Sequence, residues 1–193
     1  MNDSSVYDFV FRGLLTEEAL DLAGRTHPAL ADYSDIQIAS DLGIDSLDDI
    51  SVQEAKMMAI VYTSIAAWEN SVRKLVKKVL SESSDNWWAK LVAKGIQDRA
   101  NSRREGEEQV KWHAQRGQDL LYYTELGDLE NIIKSNENWP LFKPFFNDQE
   151  WVASIFNVVE RSRNVIMHSG NLARADIQRL GINLRDWITQ VGA

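Results

Sequence analysis

The chain has no cysteine among its 193 residues. That excludes a disulfide framework, a thiolate metal site and a cysteine nucleophile, and it fits a reducing cytoplasm. Proline is scarce: there are three, and Pro140 and Pro144 share one short segment, which leaves long stretches free to run as uninterrupted helix. Histidine is equally scarce, so His27, His113 and His168 are the only imidazoles available for chemistry. No run approaches the roughly 18 apolar residues of a membrane span. The opening MNDSSVYDFVF lacks the basic start and long apolar stretch of a secretory signal. The expectation is a cytoplasmic protein with no membrane partner. Internal repeats, low-complexity tracts and β-type alternation are also missing.

What is present is 44% hydrophobic residues, enough for one well-packed domain with an accessory segment. The net charge of −8 is unevenly placed. Residues 1–54 hold twelve acidic and two basic side chains, whereas residues 55–193 hold seventeen acidic and nineteen basic ones. The acidity therefore belongs to an N-terminal extension, residues 1–50, and residues 51–193 form the main domain. Within that domain the basic residues cluster at Arg73, Lys74, Lys77 and Lys78, and again at Lys90, Lys94, Arg99, Arg103 and Arg104. Such clusters are either a solvated helix face or a track for phosphates. An acidic extension either masks the first cluster or caps the bundle through Val6, Phe9, Phe11, Leu14 and Leu15.

Apolar residues at three- and four-residue spacing predict a long amphipathic helix from Val52 to about Leu80, through Met57, Ile60, Val61, Ile65, Trp68, Val72, Leu75, Val76 and Val79. Ser51 and Glu54 have the spacing of a capping box. A second helix is expected from Asp85 or Asn86 through Trp87, Trp88 and Ile96, with residues 101–106 either continuing it or forming a loop. Asp119 to Asn136 predicts a third, broken or restarted at Gly127-Asp128. Trp139 to Phe146 is a proline-punctuated aromatic connector. Asp148 should cap a fourth helix running to Met167 and ended by Gly170, and Ala173 to Val191 a fifth. The fold class is all-α, a bundle of four to five helices. Ahead of it lie short helical patches at Val6–Leu15 and Glu17–Ala23 and a turn-rich stretch from Thr26 to Asp49. Within that stretch Asp45-Ser46-Leu47 resembles the attachment triplet of acyl carrier proteins, but the long helix that follows favours a plain capping turn at Asp45 or Ser46.

Arg163-Asn164-Val165-Ile166-Met167-His168 carries the chemistry. Metal-free RNA cleavage needs a proton removed from the 2′-OH, a proton given to the leaving 5′-oxygen, and stabilisation of the extra phosphoryl charge. Histidine suits proton transfer near neutral pH, and the permanently charged fork of arginine suits phosphate. On a helix Asn164 and His168 share a face, whereas Arg163 and His168 are about 140° apart, so a helix edge or a kink toward Gly170 is needed to unite them. One motif supplies one imidazole, and a symmetric dimer would supply two. Seven tryptophans are present, of which most should be core and no more than one should stack RNA bases.

This hexapeptide resembles the signature of the HEPN superfamily: Arg, a polar residue, three variable residues and His near the end of a bundle helix. Trp68-Glu69, Trp87-Trp88, Tyr123-Thr124 and the Trp139 to Phe142 connector extend the resemblance to the Swt-type subgroup over roughly residues 55–185. That subgroup occurs in nuclear RNA-surveillance endoribonucleases and in many bacterial proteins. The resemblance implies a HEPN-type bundle acting as a metal-independent endoribonuclease, without cofactor, on RNA. It implies catalytic Arg163 and His168, a phosphate-orienting Asn164, and a homodimer whose two motifs face one cleft. Glu69 and Asn70 would stand behind that cleft or in solvent, and Arg73, Lys74, Lys77 and Lys78 would bind RNA. The implied settings are RNA surveillance, stress and antiphage defence, including toxins held by a regulatory protein partner. Members silenced by a nucleotidyltransferase carry Tyr two residues after the His, where this chain has Gly170. The alternative from another class is a non-catalytic HEPN dimerisation module.

Overall fold

The structure is a computed structural model and describes residues 34–192. The patches expected at Val6–Leu15 and Glu17–Ala23, and His27, lie outside the described residues. Among the described residues the chain is all-helical, with eight α-helices, two 3₁₀ turns and no strand. These are α1 (Asp35–Asp41), α2 (Asp49–Ser83), α3 (Trp87–Leu91), α4 (Lys94–Glu108), α5 (Leu126–Lys134), α6 (Trp139–Phe142), α7 (Gln149–Met167) and α8 (Arg174–Val191). The 3₁₀ turns cover Ile44–Ser46 and Leu120–Tyr123. No helix among these residues is long and apolar enough to cross a membrane. The chain divides into two compact units, Met1–Gln53 and Glu54–Ala193.

In the first unit the stretch expected to be turn-rich contains α1. Ser34 and Gln37 close a capping box on it, each side chain reaching the other's backbone N–H. Neither Asp45 nor Ser46 acts as a cap: the N-cap of the 3₁₀ turn is Gly43, with no side-chain bond. The residue that starts α2 is Asp48, whose Oδ2 accepts from the Ser51 N–H at 2.8 Å. The expected Ser51–Glu54 box is therefore displaced, because Ser51 already lies inside the first turn.

In the second unit α2 is the axis of the core. Ile65, Trp68, Val72, Val76 and Leu80 lie at 3% exposure or less, and each aliphatic side chain so buried contributes about 1.5–3 kcal/mol. Trp68 meets Phe156 and Trp187 edge-on at 5.1 and 5.3 Å, which pins α2 to α7 and α8. The inward register uses Met58 and Val61, while Met57 and Ile60 face outward.

The second expected helix is two. Val92 and Ala93 take extended backbone between α3 and α4, without any Gly or Pro to cause it. Side chains supply the cause: the Asn138 amide donates to the Leu91 carbonyl at 2.8 Å, and Gln97 Nε2 donates to the Val92 carbonyl at 2.7 Å. Residues 101–106 continue α4 as helix. The third expected helix becomes the Leu120–Tyr123 turn followed by α5. Gly127-Asp128 is where α5 starts, since Glu125 and Asp128 form its capping box. The connector contains one helical turn, α6, with Pro140 in its first turn, where a missing N–H costs nothing. α7 begins as expected, with Asp148 Oδ1 accepting from the Trp151 N–H at 2.6 Å.

Asp128 also joins α4 to α5. It is almost fully buried, receives Arg99 at 2.5 Å and Arg103 at 3.3 Å, and accepts from the Glu125 N–H. Burial by itself would raise its pKa. The hydrogen bonds from Arg99 and the Glu125 amide, with Arg103 behind them, outweigh burial and hold the carboxyl below its ordinary 3.8.

Candidate active site

The C-terminal half of α7 and the middle of α2 form one wall each of a cleft of about 450 Å³. α7 contributes Glu160, Arg163 and Asn164; α2 contributes Glu69 and Arg73; Tyr122, Thr124, Glu125 and Leu126 close the third side, and Arg116 reaches in from the loop after α4. The residues lie far apart in sequence and meet because α2 and α7 share the core through Trp68 and Phe156.

Glu69 is the centre of the electrostatics. It is only 9% exposed, and a buried carboxylate must be paired. One oxygen accepts from Arg73 Nη2 at 2.5 Å, and the other lies 3.8 Å from Arg163 Nε. Arg73 is held further by Leu121, whose carbonyl accepts from Nε at 3.3 Å, and by Asn70, whose Oδ1 accepts from Nη1 at 3.2 Å. Asn70 is exposed and does not line the cleft. Glu69 therefore fixes one guanidinium rigidly and leashes the second at longer range. Arg163 is about one third exposed.

The basic cluster on α2 divides in two. Arg73 belongs to the cleft wall, and Lys77 bonds Asp119 at 2.7 Å. That hydrogen bond and the charge of Asp119 raise the Lys77 pKa above its ordinary value. The other oxygen of Asp119 caps the Leu120–Tyr123 turn by accepting from the Leu121 N–H. Lys74 and Lys78 are exposed and have no carboxylate partner among the described residues.

His168 is the C-cap of α7, with φ −100° and ψ 23°, and its backbone N–H still bonds the Asn164 carbonyl. The next residue, Ser169, turns left-handed at φ 59°. Its N–H bonds the Ile166 carbonyl at 3.0 Å, and the Gly170 N–H bonds the Val165 carbonyl at 2.8 Å. These two bonds make a Schellman cap. The expectation that Gly170 ends the helix is corrected in one respect: the left-handed residue is Ser169, and Gly170 is glycine because of close approach. A Cβ on Gly170 would lie 2.9 Å from Val165 Cγ1 and 3.0 Å from the Val165 oxygen. The cap leaves the His168 ring exposed, without a hydrogen bond to any described residue, and beyond the residues that line the cleft. Arg163 and Asn164 are thus brought together with Glu69 and Arg73, whereas His168 is presented at the rim of the same helix end.

Besides Tyr122, Thr124, Glu125 and Leu126 on the third side, two charged residues facing the cleft, Arg116 and Glu160, were not expected from the sequence. Glu160 lies one turn before Arg163 on α7, so the helical period points to it; nothing local points to Arg116, which lies in a loop. Compared with protein-family models, with curated proteins and with solved structures, the chain matches none.

Proposed function

We propose that the protein is a HEPN-type, metal-independent endoribonuclease of the cytoplasm, active as a homodimer on RNA. One observation carries the reading: Arg163 and Asn164, from a single turn of α7, enter a cleft already held by Arg73 and backed by buried Glu69. In the proposed reaction the substrate 2′-OH attacks the adjacent phosphorus, the bond to the 5′-oxygen breaks, and the products carry a 2′,3′-cyclic phosphate and a 5′-OH. Arg163 neutralises the phosphoryl oxygens as charge builds, Asn164 orients the phosphate, and His168 transfers the proton.

His168 at the rim supports the dimer, in which the partner's copy of this helix end completes the set of proton-transfer groups. Apolar side chains near that end support it too. Met57 and Ile60 are 59% and 73% exposed. The neighbouring turn of α2 is tied to the segment after His168 by the Leu172 N–H on Met58 sulfur and by Asn171 on Glu54.

The second reading, a non-catalytic HEPN dimerisation module, is favoured by one observation: Glu69, Glu125 and Glu160 balance Arg73, Arg116 and Arg163 around the cleft. Incubating the purified protein with labelled RNA, with and without EDTA, separates the two. The first demands cutting that survives chelation, and the second demands none. RNA surveillance, stress response or antiphage defence, with a regulatory protein partner, is the setting we assign to the activity.

A further inference from the structure

Six of the seven tryptophans are buried or half-buried against the core, and Trp112 alone is 86% exposed. An indole in water loses the largest apolar burial available to any side chain, so its position calls for a partner. Trp112 lies in the loop between α4 and the Leu120–Tyr123 turn, and this loop is held at defined points. The His113 N–H bonds the Val110 carbonyl at 3.1 Å, and the Tyr123 hydroxyl bonds the Gly117 carbonyl at 3.1 Å. Glu107 accepts from the Arg116 backbone N–H at 3.1 Å and pairs with its guanidinium at 2.6 Å. The His113 ring packs edge-to-face with Trp112 at 5.6 Å, which restrains an indole that is otherwise in solvent.

Arg116, four residues after Trp112, lines the cleft. Four residues span at most about 14 Å of chain, a distance that a few nucleotides of single strand cover. Tyr122, with the Arg73 guanidinium 5.8 Å over its ring, also lines the cleft and is itself exposed. An exposed aromatic side chain near a guanidinium-lined cleft is the arrangement by which proteins hold single-stranded nucleic acid, bases on the aromatic and phosphates on the cations.

We propose that Trp112 is a base-stacking residue for single-stranded RNA, holding a nucleotide a few positions from the phosphate seated between Arg163 and Arg116. This selects unpaired RNA, because a base within a duplex has no free face. The inference rests on the ribonuclease reading for its substrate class.

The test measures binding of a fluorescein-labelled mixed-sequence 12-nucleotide RNA, single-stranded and as a duplex, to full-length protein carrying His168→Ala so that the RNA persists. Into this background Trp112→Ala and Trp112→Phe are introduced, and cleavage by the unaltered protein is recorded in parallel. Trp112→Ala should weaken single-strand binding about 10-fold or more, Trp112→Phe should retain most of it, and duplex binding should change little. Because Trp112 is in water, neither change threatens the fold. Single-strand affinity unchanged in Trp112→Ala, or lost equally for single strand and duplex, overturns the proposal while cleavage by the unaltered protein leaves the ribonuclease reading standing. Loss of stacking-dependent binding on Trp112→Ala in a protein that cuts no RNA upholds the stacking site and overturns the ribonuclease reading. No RNA binding and no cleavage overturn both.

Discussion

The Arg163 guanidinium stands 3.8 Å from the carboxylate of Glu69, whose other oxygen is already bound by Arg73. The two cations are 90 residues apart and are placed by one buried anion. Removing that anion has opposite effects on affinity and on geometry. In Glu69→Gln the cleft gains positive charge, so RNA phosphates should bind at least as tightly, while Arg163 loses its leash. A reacting group released from its position costs about 10-fold to 100-fold in turnover. Steady-state cleavage of labelled RNA should therefore show a reduced kcat with KM unchanged or lowered. A raised KM with unchanged kcat would mean that Glu69 does not position Arg163.

The Schellman cap at the end of α7 stores strain in one residue, Ser169, at φ 59°. A non-glycine residue held left-handed costs of order 1 kcal/mol. Ser169→Gly should stabilise the protein by about 1 kcal/mol, raising Tm by about 2–4 °C. Gly170→Ala should do the reverse, since the added Cβ meets a backbone oxygen at 3.0 Å. Thermal unfolding of both variants followed by circular dichroism checks the pair.

Asp128 carries a prediction in pH. Its carboxyl is held below 3.8 in the folded chain, so the unfolded chain binds the proton more readily. The stability it contributes is present above about 3.8 and is lost as pH falls through the lower folded value. Asp128→Asn should remove that contribution at neutral pH, costing about 3 kcal/mol. This is the low end for breaking a buried pair, because Arg99 stays half-exposed. Urea unfolding at pH 7 and pH 3 should show the variant's deficit shrinking at the lower pH.

Light scattering should report about twice 22.0 kDa, as the composite site requires. Substituting the exposed apolar pair, Met57→Glu with Ile60→Glu, should shift the protein toward monomer and lower cleavage per chain by 10-fold or more. A strictly monomeric protein that cuts RNA would remove the need for a second His168.

Much of the bundle is legible in the sequence because it follows periodicity and local capping. Asp148 needs only a helix after it, and the Trp68 to Leu80 stripe needs only its spacing. The Met57/Met58 register was not legible: adjacent apolar residues satisfy the same pattern, and only packing against Leu172 and its neighbours chooses between them. The break at Val92–Ala93 was hidden in part because one of the two side chains that hold it, Asn138, is 47 residues from the carbonyl it binds. In the candidate site, Arg163 and Asn164 stand out as a motif. The approach of Glu69 to Arg163 was invisible, since the two are far apart in the chain and Trp68-Glu69-Asn70 gives no sign of which polar residue turns inward. Within the α2 cluster, Arg73 pairs with Glu69 one turn back on the same helix, whereas the pairing of Lys77 depends on Asp119, distant in the chain.

The central claim, metal-independent cleavage by the Arg163–His168 motif, is tested most directly by the ends it leaves. End-labelled single-stranded RNA is incubated in EDTA with unaltered protein, Arg163→Ala and His168→Ala, each confirmed as helical, and the product termini are analysed. The unaltered protein should yield 2′,3′-cyclic phosphate and 5′-OH ends, with the rate lowered about 10²-fold or more in each variant. Absence of cleavage, 5′-phosphate ends, or equal rates in all three proteins would contradict the account.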